Sequence, residues 1–138
     1  MAQQWRFRIF GGGLLACWLL GGAAQAACGF GVPVSSALDT YGYVQDWTQN
    51  IQVPVSCDGG SVVSAVQLSS VDGTVDLATN RFLGVMRSGS DPLTYFIPDA
   101  TQLRVLAGVL SLNVTVPGGQ WGAPTGTYTD TLTVTVEF

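Results

Sequence analysis

Few residues of this chain could carry out catalytic chemistry. Its 138 residues include no histidine and no lysine, so the usual bases that activate a serine or cysteine nucleophile are absent. Two nearby carboxylates, Asp72 and Asp76, could serve as the acid–base pair of a glycoside hydrolase if they faced each other. Because both lie close to Gly73, we favour the interpretation that they solvate a turn. The sequence therefore predicts a protein that is not an enzyme.

The residue spacing predicts no metal or cofactor site either. Asp58 and Asp72 could supply calcium ligands, but no EF-hand-like spacing surrounds them. Two cysteines without a histidine do not make a zinc site. The glycine runs lack the Gly-x-x-x-x-Gly-Lys pattern of a phosphate-binding loop. We expect no bound cofactor.

Aromatic side chains offer one further kind of chemistry, the stacking of a sugar ring. Trp47 and Trp121 are the two tryptophans that follow residue 26, and either could form such a platform. Large aromatic side chains more often contribute to a core. We favour buried positions for both tryptophans.

The clearest structural element is the last segment, Gly126 to Phe138 (GTYTDTLTVTVEF). From Tyr128 onward its residues alternate between two faces, with Leu132, Val134, Val136 and Phe138 on one face and mostly threonine on the other. A period of two with these residue types predicts a half-buried β-strand. No partner strand follows it, and an exposed strand edge invites pairing with another chain.

Further short strands are predicted upstream, separated by turns rich in glycine, aspartate and proline. Pro54 predicts that the first of them is an edge strand or is locally interrupted. The run from Val105 is either one long strand or a bent pair. This pattern predicts an all-β protein, an immunoglobulin-like β-sandwich, and we place no domain boundary within residues 27–138. The predicted strands are Asn50 to Cys57, Val62 to Leu68, Phe82 to Met86, Leu93 to Ile97, Val105 to Val116 and Thr127 to Phe138.

Residues 1–26 have the pattern of a secretory signal peptide. Arg6 and Arg8 form a positive start, Ile9 to Leu20 is apolar, and Ala24-Gln25-Ala26 fits the small-x-small rule for cleavage. The apolar run is short for a membrane-spanning segment, so we favour cleavage over an uncleaved anchor. The domain would then comprise residues 27–138, with no integral membrane segment.

Cleavage would change both the charge and the cysteine count. The remaining chain would hold three arginines, Arg81, Arg87 and Arg104, against nine acidic residues. An acidic domain with scattered cations is a poor candidate for nucleic-acid binding. Cys28 and Cys57 would remain as an even pair in an exported protein, which predicts a disulfide.

The C-terminal motif resembles that of a known family. Ala123 to Phe138 (APTGTYTDTLTVTVEF) is similar to the C-terminal signature of spore coat protein U domains, which include subunits of archaic, Csu-type chaperone–usher pili. Cys28, Tyr41-Gly42-Tyr43 and Ile51 to Cys57 (IQVPVSC) resemble the first strands of that family and their cysteine pair. Leu93 to Ala100 (LTYFIPDA) is similar to its central strand.

The resemblance implies a sandwich that lacks its final strand and accepts one from another protein by β-strand addition. The donors would be a periplasmic pilus chaperone and then another pilin subunit, with assembly by an outer-membrane usher. Leu132, Val134, Val136 and Phe138 would border the acceptor groove, and the chaperone would anchor Phe138. The protein would reside in the periplasm and then on the cell surface, as part of a pilus active in adhesion.

One departure concerns the donor strand, which precedes the first cysteine in that family. Only Ala27 would precede Cys28 after cleavage, so the chain is expected to accept a strand without donating one, as a tip or capping subunit. Gly29 to Val34 could instead fold back and complete the sandwich. The alternative function is a free-standing secreted β-sandwich that binds polysaccharide or surface material through aromatics such as Trp47 or Tyr43.

Overall fold

The computed structural model describes residues 2–10, 17–18, 28–35 and 42–138. The predicted cleavage site at residues 24–26 lies outside these ranges. Among the described residues, no helix is long and apolar enough to cross a membrane. The regular elements of the described ranges are β-strands: β1 (Ala2–Phe10), β2 (Cys17–Trp18), β3 (Cys28–Phe30), β4 (Val34–Ser35), β5 (Trp47–Cys57), β6 (Ala65–Ser69), β7 (Thr74–Asp76), β8 (Arg81–Ser88), β9 (Asp91–Pro98), β10 (Val105–Leu106), β11 (Val109–Val116) and β12 (Thr129–Glu137).

Alternating side chains form the long strands and build the core between them. In β5 and β11 every second residue is buried, as expected for strands with one face toward a core. The same alternation runs through β8, β9 and β12. The buried residues of these strands join in one hydrophobic cluster. The prediction of an all-β sandwich is confirmed.

All strand pairs within the described ranges are antiparallel, and the order of hydrogen-bonded neighbours is β2-β1-β12-β8-β9-β11-β5-β3. The most extensive ladders join β11 to β5, β8 to β9, and β12 to β1. Single bridges link β11 to β9 and β12 to β8, so the sheet bends there and nearly closes on itself. β6 lies on β12, on the side away from β1.

The segment after Cys28 runs along β5 in two pieces. β3 pairs with the end of β5, and β4 pairs with its middle. Pro54 lies opposite the break between them, where its lack of an N–H leaves no ladder bond unmade, and its carbonyl accepts a bond of 2.8 Å from the Gly31 N–H. β5 itself runs unbroken from Trp47 to Cys57 and is paired on both sides, with β11 and with β3 and β4. The prediction that Pro54 makes this strand an edge or interrupts it is therefore wrong, and the break lies in the segment that pairs with it. Gly29 to Val34 therefore lies on β5, while β12 is paired elsewhere.

The predicted disulfide is present. Cys28 and Cys57 are direct register partners of β3 and β5, and their sulfur atoms are bonded. The bond closes a loop with a sequence separation of 29, which in the chain-entropy model contributes about 3–4 kcal/mol. It fixes β3 at the end of β5.

The run from Val105 is the bent pair of the two alternatives. β10 and β11 form a tight hairpin whose turn residues, Ala107 and Gly108, both have positive φ, 50° and 76°. Two positive φ values match a type I′ turn, which follows the twist of the strands. Of the other strands, β6 begins at Ala65 rather than at the predicted Val62.

Candidate functional site

The candidate site is the edge of β12, which carries the residues predicted to border a groove. Leu132, Val134 and Val136 are completely buried, and the residues between them are half-buried. Phe138 lies just past the end of β12 and is half-buried. One edge of β12 pairs with β6 over Thr133 to Glu137. The occupant of the other edge is therefore what decides whether a groove exists.

The chain's own N-terminal strand occupies that edge. β1 pairs with β12 over nine residues, from Ala2 opposite Glu137 to Phe10 opposite Thr129. Phe7 lies opposite Leu132, is 1% exposed and belongs to the hydrophobic core. Its neighbour Arg6 is exposed. β1 thus completes both the hydrogen-bond ladder of β12 and the core beneath it.

This strand lies within the predicted signal peptide, and we did not predict it. A sequence signal does exist, because Trp5, Phe7 and Ile9 alternate with Arg6 and Arg8. Such alternation is typical of a strand. The positive start followed by an apolar run is equally typical of a signal peptide. We therefore interpreted residues 1–26 as a signal peptide and not as a strand.

The other edge of β1 pairs with β2, with Arg6 opposite Trp18 and Phe7 opposite Cys17. β1 contacts β3 as well as β12, and the Cys28–Cys57 disulfide ties β3 to β5. The disulfide therefore fixes a strand that lies near β1. β12, the strand with which β1 forms its long ladder, is held on its far side by β6.

A buried polar contact fixes the start of β12. The Tyr95 hydroxyl donates a hydrogen bond of 2.6 Å to Oδ2 of Asp130, while Oδ1 of the same carboxylate accepts from the Thr131 N–H at 2.8 Å. Burial, together with the negative charge of Asp130, raises the pKa of Tyr95. Tyr95 therefore remains a neutral donor, and a Cβ at Gly84 would overlap its ring.

The turn that enters β12 is fixed by a second tyrosine. The buried Tyr128 donates from its hydroxyl to the carbonyl of Pro124 at 2.6 Å. A tyrosine just before this strand that bonds to backbone a few residues upstream is the arrangement of the tyrosine corner in immunoglobulin-like sandwiches. Tyr95 and Tyr128 together set the register with which β12 presents its edge.

The two carboxylates considered for catalysis, Asp72 and Asp76, each bond to different neighbours. Asp72 accepts a hydrogen bond of 2.9 Å from Nε of Arg87 in an exposed ion pair. Asp76 accepts from the Thr79 hydroxyl at 2.6 Å and from the Ala78 N–H at 3.0 Å, and these bonds lower its pKa. Each carboxylate therefore has its own structural partners. Within the described ranges, no three metal-ligating side chains converge.

The two tryptophans differ in burial. Trp47 is buried at the start of β5, as predicted, whereas the prediction for Trp121 is wrong because it is 70% exposed. Trp121 lies in the loop between β11 and β12, where no strand alternation directs it inward. Its ring stacks on Tyr43 with centroids 5.9 Å apart. The surface aromatic platform is thus Trp121 with Tyr43, while Trp47 is inaccessible to a ligand.

No protein-family model, curated protein or solved structure matches this chain. The resemblance to spore coat protein U domains consequently stays a prediction from the C-terminal motif and the cysteine pair. The site that the structure itself defines is the β12 edge, along which β1 is paired.

Proposed function

We propose that this chain is a non-enzymatic, exported structural subunit that binds an extended strand of another protein along β12. In this proposal it belongs to a surface pilus built by donor-strand complementation. Its partners are a periplasmic pilus chaperone, an outer-membrane usher and other pilin subunits. Its location is the periplasm during assembly and the cell surface afterwards.

The observation that carries the proposal is the occupant of the β12 edge. β1 adds a nine-residue antiparallel ladder to β12 and inserts Phe7 into the core. Main-chain hydrogen bonds along an edge, with alternate side chains in pockets, are the features of β-strand addition. The same features belong here to a segment within the predicted signal peptide.

Loss of β1 on cleavage would leave a defect that a partner must fill. Removing a buried phenylalanine side chain typically costs about 3–5 kcal/mol, and a domain of this size is stable by only about 5–15 kcal/mol in total. The freed edge of β12 would also lack its ladder. A processed domain would therefore depend on a second strand, which is what a chaperone supplies.

The test is to export the chain with and without a co-expressed periplasmic pilus chaperone. We expect a soluble, stoichiometric complex with the chaperone, and degradation or aggregation without it. A chaperone with its own strand-donating edge mutated serves as the control and should rescue no better than an empty vector. Equal yields of soluble monomer in all cases would contradict the proposal.

The exposed aromatic platform supports a second candidate, a polysaccharide-binding sandwich. Trp121 presents an open ring that Tyr43 holds in a fixed orientation, and such a ring can stack against the C–H face of a sugar. Affinity electrophoresis in polysaccharide gels tests this function. Trp121→Ala should abolish retardation and Leu106→Ala, a change at another exposed apolar residue, should not. Retardation that both variants retain would contradict sugar binding at Trp121.

A further inference from the structure

The β1–β12 ladder joins two segments that have opposite charge. β1 carries Arg6 and Arg8 and no acidic residue, whereas residues 27–138 carry all nine acidic residues and three arginines. Opposite net charges favour the encounter of such a segment with the domain. Because side chains alternate along β1, Phe7 packs in the core while the charged Arg6 lies in solvent.

Covalent attachment gives β1 an advantage over any free strand. β1 and β3 belong to one chain, and β1 lies beside β3 in the fold. A tethered segment acts at an effective concentration on the order of millimolar. A free strand of equal intrinsic affinity at micromolar concentration would therefore occupy only a small fraction of the sites.

From these observations we propose that β1 is an intramolecular plug of the strand-binding site. In the intact chain the β12 edge is closed to other strands, and severing the link between β1 and β3 opens it. The opened site takes an extended, antiparallel segment that offers a large apolar side chain where Phe7 lies, opposite Leu132. This inference rests on the proposed strand-binding function, and adds to it a closed precursor state and a requirement for the partner.

The seat of Phe7 explains the requirement for an apolar side chain. Leu132, the register partner of Phe7, is fully buried and belongs to the same hydrophobic cluster, so a polar or small side chain at position 7 would leave an unpaired group or a cavity. Position 6 of β1 has no such constraint because its side chain is exposed. The two adjacent positions of the plug therefore form a matched pair for testing.

The test uses the full chain with a specific protease site inserted between residues 19 and 27. A fluorescent peptide with the sequence of residues 2–10 is added to the intact and to the cut protein, and the peptide bound per protein is measured by fluorescence after rapid gel filtration. With peptide at about 10 µM and protein at about 0.5 µM, the intact chain should take up roughly one hundredth of the peptide that a free site would. The cut chain should exchange its severed fragment and approach saturation.

Two variant peptides test the requirement at Phe7. The peptide with Phe7→Ala should bind at least about 100-fold more weakly, and the peptide with Arg6→Ala should bind within about threefold of the parent. These changes are in the peptide, so they do not affect folding of the domain. Equal uptake before and after the cut, no uptake after it, or equal binding of both variants would each overturn the plug.

The peptide experiment and the chaperone experiment can fail independently of each other. If intact and cut chains bind peptide equally while the chaperone still forms its complex, strand binding stands and the plug is wrong. If the plug behaves as described and no chaperone complex forms, the β12 edge is a strand-binding site of a protein outside the pilus pathway.

Discussion

At the scale of residues, the stability of the protein depends on keeping charged groups off the buried face of β12. Val134 is completely buried and Thr133, next to it, is half-buried on the other face. Val134→Asp would bury an unpaired charge and should lower the free energy of unfolding by about 3–5 kcal/mol. Thr133→Asp should cost less than about 1 kcal/mol. Urea unfolding of the intact chain measures both, and equal costs would remove the case for an alternating strand.

The contact between Gly84 and Tyr95 gives a second prediction. A Cβ at position 84 would overlap the Tyr95 ring, so Gly84→Ala should destabilise the intact chain by about 1–3 kcal/mol, as overpacking does. Gly29→Ala is the control because a Cβ at Gly29 meets no atom. Thermal unfolding compares the two variants. A neutral Gly84→Ala would mean that Tyr95 does not hold the position described.

The buried Tyr95 also predicts a dependence on alkaline pH. Its pKa is raised in the folded state above the ordinary value of 10.0, first by burial and then by Asp130. The neutral form is thus favoured by folding, and its contribution is present below about pH 10 and declines as pH rises above it. Stability should fall there by up to about 1.4 kcal/mol per pH unit for this group.

The variant Tyr95→Phe distinguishes the contribution of the Tyr95 hydroxyl to this pH dependence from those of the other tyrosines. The variant loses the bond to Asp130 and should be less stable at neutral pH by about 1–3 kcal/mol. Its stability should decline less steeply above pH 10, although the raised pKa of Tyr128 leaves part of the decline. Urea titrations at several alkaline pH values measure the slopes, and identical slopes would contradict the burial of an ionisable hydroxyl at position 95.

At the scale of elements, β1 should stabilise the intact chain through Phe7. Phe7→Ala should lower the free energy of unfolding by about 3–5 kcal/mol, whereas Arg6→Ala, at an exposed position of the same strand, should change it by less than about 0.5 kcal/mol. Denaturant unfolding of refolded, oxidised protein measures the difference. Similar small effects would show that β1 contributes little to the core.

The predictability of the elements follows from how strong their local patterns are. β12 and β5 were predictable because alternation over many residues has few competing explanations. The pair β10–β11 stayed ambiguous because its turn places Ala107 at a positive φ, which is uncommon for a residue with a Cβ. β7 has only three residues, too few for a period to show. Trp121 was misjudged because loop side chains follow no period at all.

β1 was not predictable for a different reason. Its alternation is visible in the sequence, but so are the charge and apolar run of a signal peptide. The position that β1 takes depends on a vacancy beside β12, and such a vacancy is a property of the assembled sandwich rather than of residues 2–10. The burial of Leu132, Val134 and Val136 on one face of β12 was predictable, while the strand that pairs along β12 was not.

At the scale of the whole molecule, β12 is held in the sandwich by β6 on one edge and by β1 on the other. The disulfide fixes β3, the tyrosine contacts fix the start of β12, and β1 pairs with β12 and with β2 close to β3. If cleavage removed β1, as we propose, one edge of β12 would lose its partner. Under the proposed function, the domain would then act only with a strand from another chain.

Native mass spectrometry of the protein purified from the periplasm tests this central claim most directly. The account predicts a chain that begins at Ala27, carries the Cys28–Cys57 disulfide and is bound one to one to a second polypeptide. Gentle dissociation of that polypeptide should leave a domain that aggregates. A stable monomer that begins at Ala27 and remains soluble without a partner would contradict the account.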